Sequence, residues 1–282
     1  MKKSKGILYI SLSAFFFSLM AVAVKATPNI PVVEKIFFRN MIGLVPILIN
    51  SYRSQTSLKP NNTKLIILRS TFGLLGIFAY YTALSLLSLS DAVIMNKLSP
   101  FFVLVFSAIF LKEKIKNKQI YALIFAVTGA LFVIKPSFDL SVIPALIGLS
   151  SAIFAGAAYT TVRKLSESDA PIVIVFYFSL ITTLITIPVM IVTKNFVIPT
   201  GTEALLLILI GLAAVTAQIF MTSAYRYAPA GELAIYTYSN IVFSIIFSIV
   251  IWSDFPDLYS LMGAFLIVTG GYINYKVKKK RL

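Results

Sequence analysis

Residues 83–129 and 224–270 align without a gap, and the loops between the helices of the two copies carry opposite charge. The matches are Ala83/Ala224, Ile94/Ile235, Phe102/Phe243, Phe106/Phe247, Ser107/Ser248, and Val127-Thr128-Gly129 against Val268-Thr269-Gly270. Shared apolar letters are cheap, so the triplet carries most weight. Lys112, Lys114, Lys116 and Lys118 in the first copy stand against Asp254 and Asp257 in the second, while both copies keep an acid at Glu113/Asp254. A unit duplicated and inserted in the opposite sense accounts for this. Basic loops stay cytoplasmic, so the second copy's loop must lie outside.

A chain of 282 residues that is 59% hydrophobic and 12% charged cannot cover a water-soluble surface. Its apolar runs recur from end to end, each long enough to cross the ~30 Å hydrocarbon layer, so it is an integral membrane protein. Strands of a barrel would be shorter and alternating, which leaves the all-α class. The net charge of +15 does not imply nucleic acid, because Lys and Arg gather in every second loop and at both termini, where they anchor topology. No cysteine or histidine is present, which removes thiol nucleophiles, disulfides and imidazole-bound metals. With no acid pairs on one helix face either, a membrane enzyme lacks its groups, and no cofactor is implied.

Ten transmembrane helices are expected, over 6–25, 33–50, 65–87, 90–111, 118–135, 142–162, 170–192, 202–226, 229–252 and 257–276. The even loops and termini hold Lys2, Lys3, Lys5, Arg53, Lys59, Lys64, Arg69, the four lysines at 112–118, Arg163, Lys164, Arg226 and the tail from Lys276 to Arg281. The odd loops hold only Lys25, Lys35, Lys135 and Lys194, which places both termini in the cytoplasm and the protein in the cytoplasmic membrane. Residues 1–25 resemble a signal peptide, but Ser13-Ala14-Phe15-Phe16 through Lys25 repeats as Ser151-Ala152-Ile153-Phe154 through Arg163 in mid-chain, so a retained helix is expected. Five spans per half is an odd number, and the halves 1–137 and 138–282 therefore read as antiparallel repeats packed as one transmembrane body around a shared cavity.

A charge within the bilayer costs about 2.5 to 3.5 kcal/mol on insertion scales, so each intramembrane charge calls for a reason. Lys97 lies seven residues into span 4, ~10 Å deep, beside Asn96 and three residues before Pro100, which frees a carbonyl one turn back. This reads as a substrate or gating site; a structural ion pair or a lysine snorkelling to the interface is the alternative. Glu34 and Arg39 in span 2 lie about 140 degrees apart on the helix, so Glu34 is open to Arg39 or Lys97 across helices, with Asp91 a shallower acid. The second half replaces Lys97 with Tyr238 and offers Glu232, Tyr236 and Asn240 on span 9, and Gln218, Thr222 and Tyr225 on span 8. Such seams line cavities or join helices. Tyr81 is among the tyrosines deep enough to present a ring or hydroxyl to a solute.

Further motifs are Glu34-Lys-Ile-Phe-Phe-Arg39, Ala83-Leu84 with Pro100, Phe110-Leu-Lys-Glu113, Thr128-Gly129, Ala224, Ala228-Pro229-Ala230, Asp254 and Thr269-Gly270. With ten spans in register, the chain resembles the EamA branch of the drug/metabolite transporter superfamily. That resemblance implies a ten-helix inverted repeat with a central cavity and alternating access, moving amino acids, nucleotides, vitamins or related metabolites. Ile241 stands where a second proline would match Pro100, which weakens the expectation that spans 4 and 9 bend alike. The expected partners are a small-molecule substrate and the lipid bilayer, with protons a candidate coupling ion through Glu34 or Glu232. Arg39 and Lys97 bias the site toward an anion. A lipid flippase or a structural membrane subunit is the second reading.

Overall fold

The structure, a computed structural model, describes residues 2–135, 142–194, 196–225, 227 and 233–279. Its elements are α1 (Lys2–Lys25), α2 (Val32–Ser54), α3 (Thr63–Leu86), α4 (Leu89–Asn96), α5 (Ser99–Phe110), α6 (Asn117–Ile134), α7 (Ile143–Leu165), α8 (Pro171–Thr193), α9 (Gly201–Tyr225), a 3-10 helix (Ala234–Tyr238), α10 (Ser239–Trp252) and α11 (Leu258–Lys279). Among the described residues there is no strand, as expected where each span must satisfy its own backbone in lipid. Eight segments, with α4 and α5 counted as one, are long and apolar enough to cross a membrane. The other long helices, α2 and α11, carry more charge: Glu34, Lys35 and Arg39 in α2, and lysines at the end of α11. The protein is a multi-pass membrane protein.

Local signals set several ends. The Asn62 side chain accepts from Leu65 N–H at the start of α3, and Ser88 accepts from Asp91 N–H at the start of α4. Pro171 opens α8, where a missing N–H costs nothing. The helices of the two repeat copies end alike. Lys112 and Ser253, at the same register, both take left-handed backbone with φ of 55° and 51°. Just beyond, Glu113 N–H donates to Ser107 C=O at 3.3 Å and Asp254 N–H donates to Ser248 C=O at 3.2 Å.

Helix packing follows the same register. The α3–α7 contact is matched by α9–α1, α5–α7 by α10–α1, and α2–α9 by α8–α3. Two further large contacts, α2–α8 and α6–α11, each join a helix to its own counterpart; α4–α10 joins span 4 to span 9, and α4–α7 is matched by the 3-10 helix against α1. At the α6–α11 crossing, a Cβ on Gly129 would lie 2.7 Å from Gly263 C=O, and one on Gly270 would lie 2.7 Å from Ala122 C=O. Small residues at matched positions thus let the backbones touch.

Contacts between loops fall into two sets. At one end Asn29 reaches Glu203, Lys25 reaches Leu87 C=O, and Lys135 pairs with Asp257; these are the odd loops. At the other end Asn61 meets Asp169 and Arg163 meets Glu113; these are the even loops. Successive spans therefore run in alternating directions.

Two expectations about spans 4 and 9 need correction. Span 4 is not one helix bent by a proline: it stops at Asn96, turns through Lys97 and Leu98, and restarts at Ser99 with Pro100 in the new first turn. There the proline's missing N–H is harmless, so it marks a restart rather than an opened carbonyl. Span 9 is distorted at the same register without a proline, through the 3-10 helix that ends at Tyr238.

Candidate functional site

The break between α4 and α5 sets Lys97 where regular hydrogen bonding lapses. Its N–H reaches back to Val93 and Ile94 C=O at 3.1 Å, while its side chain is half-buried. Among the described residues no carboxylate and no hydrogen-bond acceptor pairs with the Lys97 amine. Asn96 donates to Ser151 Oγ at 3.2 Å and ties the break to α7.

The matching position in the second half is closed. Tyr238 is buried against α11, where a Cβ on Gly271 would lie 2.6 Å from the Tyr238 hydroxyl oxygen. Both N–H donors of the Asn240 side chain are taken, by Ala14 C=O at 3.0 Å and by Ser18 Oγ, which in turn donates to the backbone C=O of Asn240 at 3.1 Å. This joins α10 to α1. Tyr236 packs beside Ile10, Ala224 and Leu233. Gln218 is half-buried on α9. The side chain of Thr222 and all of Glu232 lie outside the described residues.

Glu34 pairs with neither Arg39 nor Lys97. Its Oε2 accepts from Val197 N–H at 3.1 Å, and its buried Oε1 has no partner among the described residues. The first turn of α2 faces the segment that leads into α9, so Glu34 meets backbone there, while Arg39 points elsewhere on the helix. Arg39 donates from Nη1 to Asn40 Oδ1 at 3.1 Å, and Asn40 donates to Ile36 C=O at 2.8 Å. Arg39 acts electrostatically on Tyr81, which is fully buried and donates to Met20 Sδ at 3.4 Å.

Two cations assigned to loops lie inside the bundle. Lys35 is 1% exposed and donates to Val24 C=O at 3.0 Å, so its charge meets the negative end of α1. Arg69 sits in the second turn of α3, its guanidinium carbon 3.9 Å from the Phe178 ring centroid on α8. Counting loop charges could not find either residue. The signal for Arg69 was its place within an apolar run with a glycine one turn later, at Gly73. The site therefore comprises Lys97, unpaired among the described residues, at the α4–α5 break, and Arg39 and Arg69 between α2, α3 and α8, with Tyr81 buried about three turns further along α3 against Met20.

The EamA-like transporter family profile matches residues 4–135 and again 142–275. The chain belongs to the EamA-like transporter family. It is 35% identical over 277 residues to the pseudopaline exporter CntI of Pseudomonas aeruginosa, covering 97% of each. It is 29% identical over 281 residues to human solute carrier family 35 member G1, covering 93% of this chain and 76% of the relative. A solved crystal structure superposes with a TM-score of 0.71 at 18% identity, covering 98% of both chains, a likeness of fold. This EamA-like protein is accordingly a membrane transporter of the drug/metabolite transporter superfamily, a superfamily of carriers rather than enzymes.

Proposed function

We propose that this transporter moves a small polar metabolite bearing an acidic group across the cytoplasmic membrane, by alternating access between two antiparallel five-helix repeats. The observation that carries the anion preference is the Lys97 amine at the broken span, unpaired among the described residues. A cation left without a protein counter-charge at that depth is stabilised by an anionic solute, whereas a paired one is not. The matched helix contacts, matched left-handed turns and matched breaks of spans 4 and 9 support the repeat. The excess of lysine and arginine at the even-loop end supports a cytoplasmic placement for that end and for both termini. The relative named as an exporter supports outward movement, and the unpaired Oε1 of Glu34 makes it the candidate proton carrier.

Proteoliposomes loaded with labelled amino acids, organic acids including pseudopaline, and quaternary ammonium compounds test this reading. Flux of the acids with competition among them is expected; flux confined to quaternary ammonium compounds overturns it. A Lys135→Cys variant should react with an impermeant maleimide only from the outer side, and labelling only from the cytoplasmic side would overturn the topology.

A further inference from the structure

Arg69 occupies a built recess. Its guanidinium bends along α3 onto Gly73, where an added Cβ would collide with Arg69 Nη1 and lie 2.6 Å from the Phe178 ring. Phe178 covers the guanidinium's other side at 3.9 Å. Stacking of this kind uses the face of the guanidinium and leaves its N–H groups free at the edge. Two of those edge nitrogens, Nε and Nη1, are buried and have no hydrogen-bond partner among the described residues. Arg39 shares the pattern: Nη1 is held by Asn40, while Nε is buried and unpartnered. Arg39 lies on α2, which packs against both α3 and α8, the helices that carry Arg69 and Phe178, and its charge opposes that of Arg69.

Two guanidiniums in mutual reach inside a bundle repel, and unpaired buried N–H groups add a desolvation cost. Among the described residues no acid forms an ion pair with either guanidinium. Glu34 accepts from Val197, and Asp169 is taken up by Asn61 and Ser168 at the even-loop end. If Arg69 served packing alone, the stack on Phe178 would suffice, and its free N–H edge would be a needless cost.

We propose that Arg39 and Arg69 together form an oxyanion subsite that takes the carboxylate of the transported solute, Arg69 presenting a fixed planar edge and Arg39 the second charge. This rests on the reading of the protein as an anion carrier and deepens it, by naming a carboxylate and a site apart from Lys97. A planar carboxylate accepts from the side edge of a guanidinium through Nε–H and the neighbouring Nη2–H, a geometry that an ammonium cannot offer, and the unpartnered Nε of Arg69 is one of these two donors, whereas Nη1 packs on Gly73.

The test uses the purified full chain, with succinate and inorganic phosphate as probes and tetramethylammonium as a cation control, at ionic strength held constant with chloride. The readout is the probe-induced shift in thermal unfolding midpoint as a function of concentration. Succinate is expected to stabilise the wild-type protein, and Arg69→Lys, which keeps the charge but loses the fork, to weaken its apparent affinity by about ten-fold or more. Gly73→Ala, which evicts the guanidinium while leaving Arg69 in the sequence, should do the same; if that variant does not fold, Phe178→Leu removes only the roof and carries the same expectation. Loss in Lys97→Ala with full retention in Arg69→Lys would overturn this subsite and leave the anion-carrier reading intact. Retention in both, or stabilisation by tetramethylammonium alone, would overturn both. A wild-type response to phosphate without succinate would overturn the carboxylate assignment.

Discussion

Arg163 Nη2 lies 2.7 Å from Glu113 Oε1 at the even-loop end, while Lys25 and Asp254, which hold the same repeat positions at the odd-loop end, form no ion pair. Lys25 donates to Leu87 C=O at 2.6 Å and lies 5.8 Å from the Trp252 ring centroid, and Asp254 accepts from Ser248 Oγ at 3.1 Å. The Arg163–Glu113 pair thus has no ion-pair counterpart at the matching positions, and the odd-loop end is joined instead through Lys135 and Asp257. An exposed pair of this kind contributes only about 0 to 1 kcal/mol, so it biases an equilibrium between states rather than locking one.

Glu113→Gln should therefore raise exposure of the interior from the even-loop end by about two- to five-fold, the range that this energy allows. The chain has no cysteine, so alkylation of an Asn96→Cys reporter reads the exposure directly. An unchanged labelling rate would remove the pair from the gating account.

Lys97→Ala is expected to lower solute flux by about ten-fold or more while leaving the unfolding midpoint level or higher, because alanine is easier to bury at that depth than lysine. Flux and thermal unfolding measured on the same preparation check this. Wild-type flux, or a protein that no longer assembles, would favour a purely structural lysine.

Gly129→Ala places a methyl where Gly263 C=O and the Ile267 side chain now sit, at 2.7 and 2.8 Å. It should cost about 1 to 3 kcal/mol as α6 and α11 are pushed apart. Gly201→Ala meets nothing within 4 Å and serves as the control, with a midpoint near wild type. Equal midpoints for the two variants would show that the crossing tolerates separation.

Asp169, in the loop between α7 and α8, has its carboxyl held below the ordinary value of 3.8 by the Ser168 hydroxyl and by backbone N–H groups of Asn61 and Asn62, against a smaller opposing effect of burial. A depressed carboxyl contributes stability that is present above the unfolded value and lost as pH falls through the folded one. The clasp between residues 55–62 and 166–170 should thus loosen below about pH 4, seen as faster amide exchange in 55–62. Asp169→Asn should show that faster exchange already at pH 7 and little further change on acidification.

Hydropathy alone determined the all-helical membrane class and the eight segments long and apolar enough to cross, because lipid forces every span to satisfy its backbone internally and to be apolar enough to insert. The glycines of the two Val-Thr-Gly triplets mark points of close backbone approach, but that α6 and α11 meet there is supplied by the tertiary structure. Which way a polar side chain turns was not legible. Lys35 and Arg69 read as loop anchors by position, yet one caps the end of α1 and the other folds onto Gly73 beneath Phe178. Asn240 read as part of a cavity seam, and the fold instead saturates it against α1. Glu34 is open to either Arg39 or Lys97 by its position in the sequence, and in space meets Val197 N–H instead. A helix fixes depth through its rise per residue, but the partner of a buried polar group is chosen by neighbouring helices that come from distant parts of the chain, and only the tertiary packing supplies them.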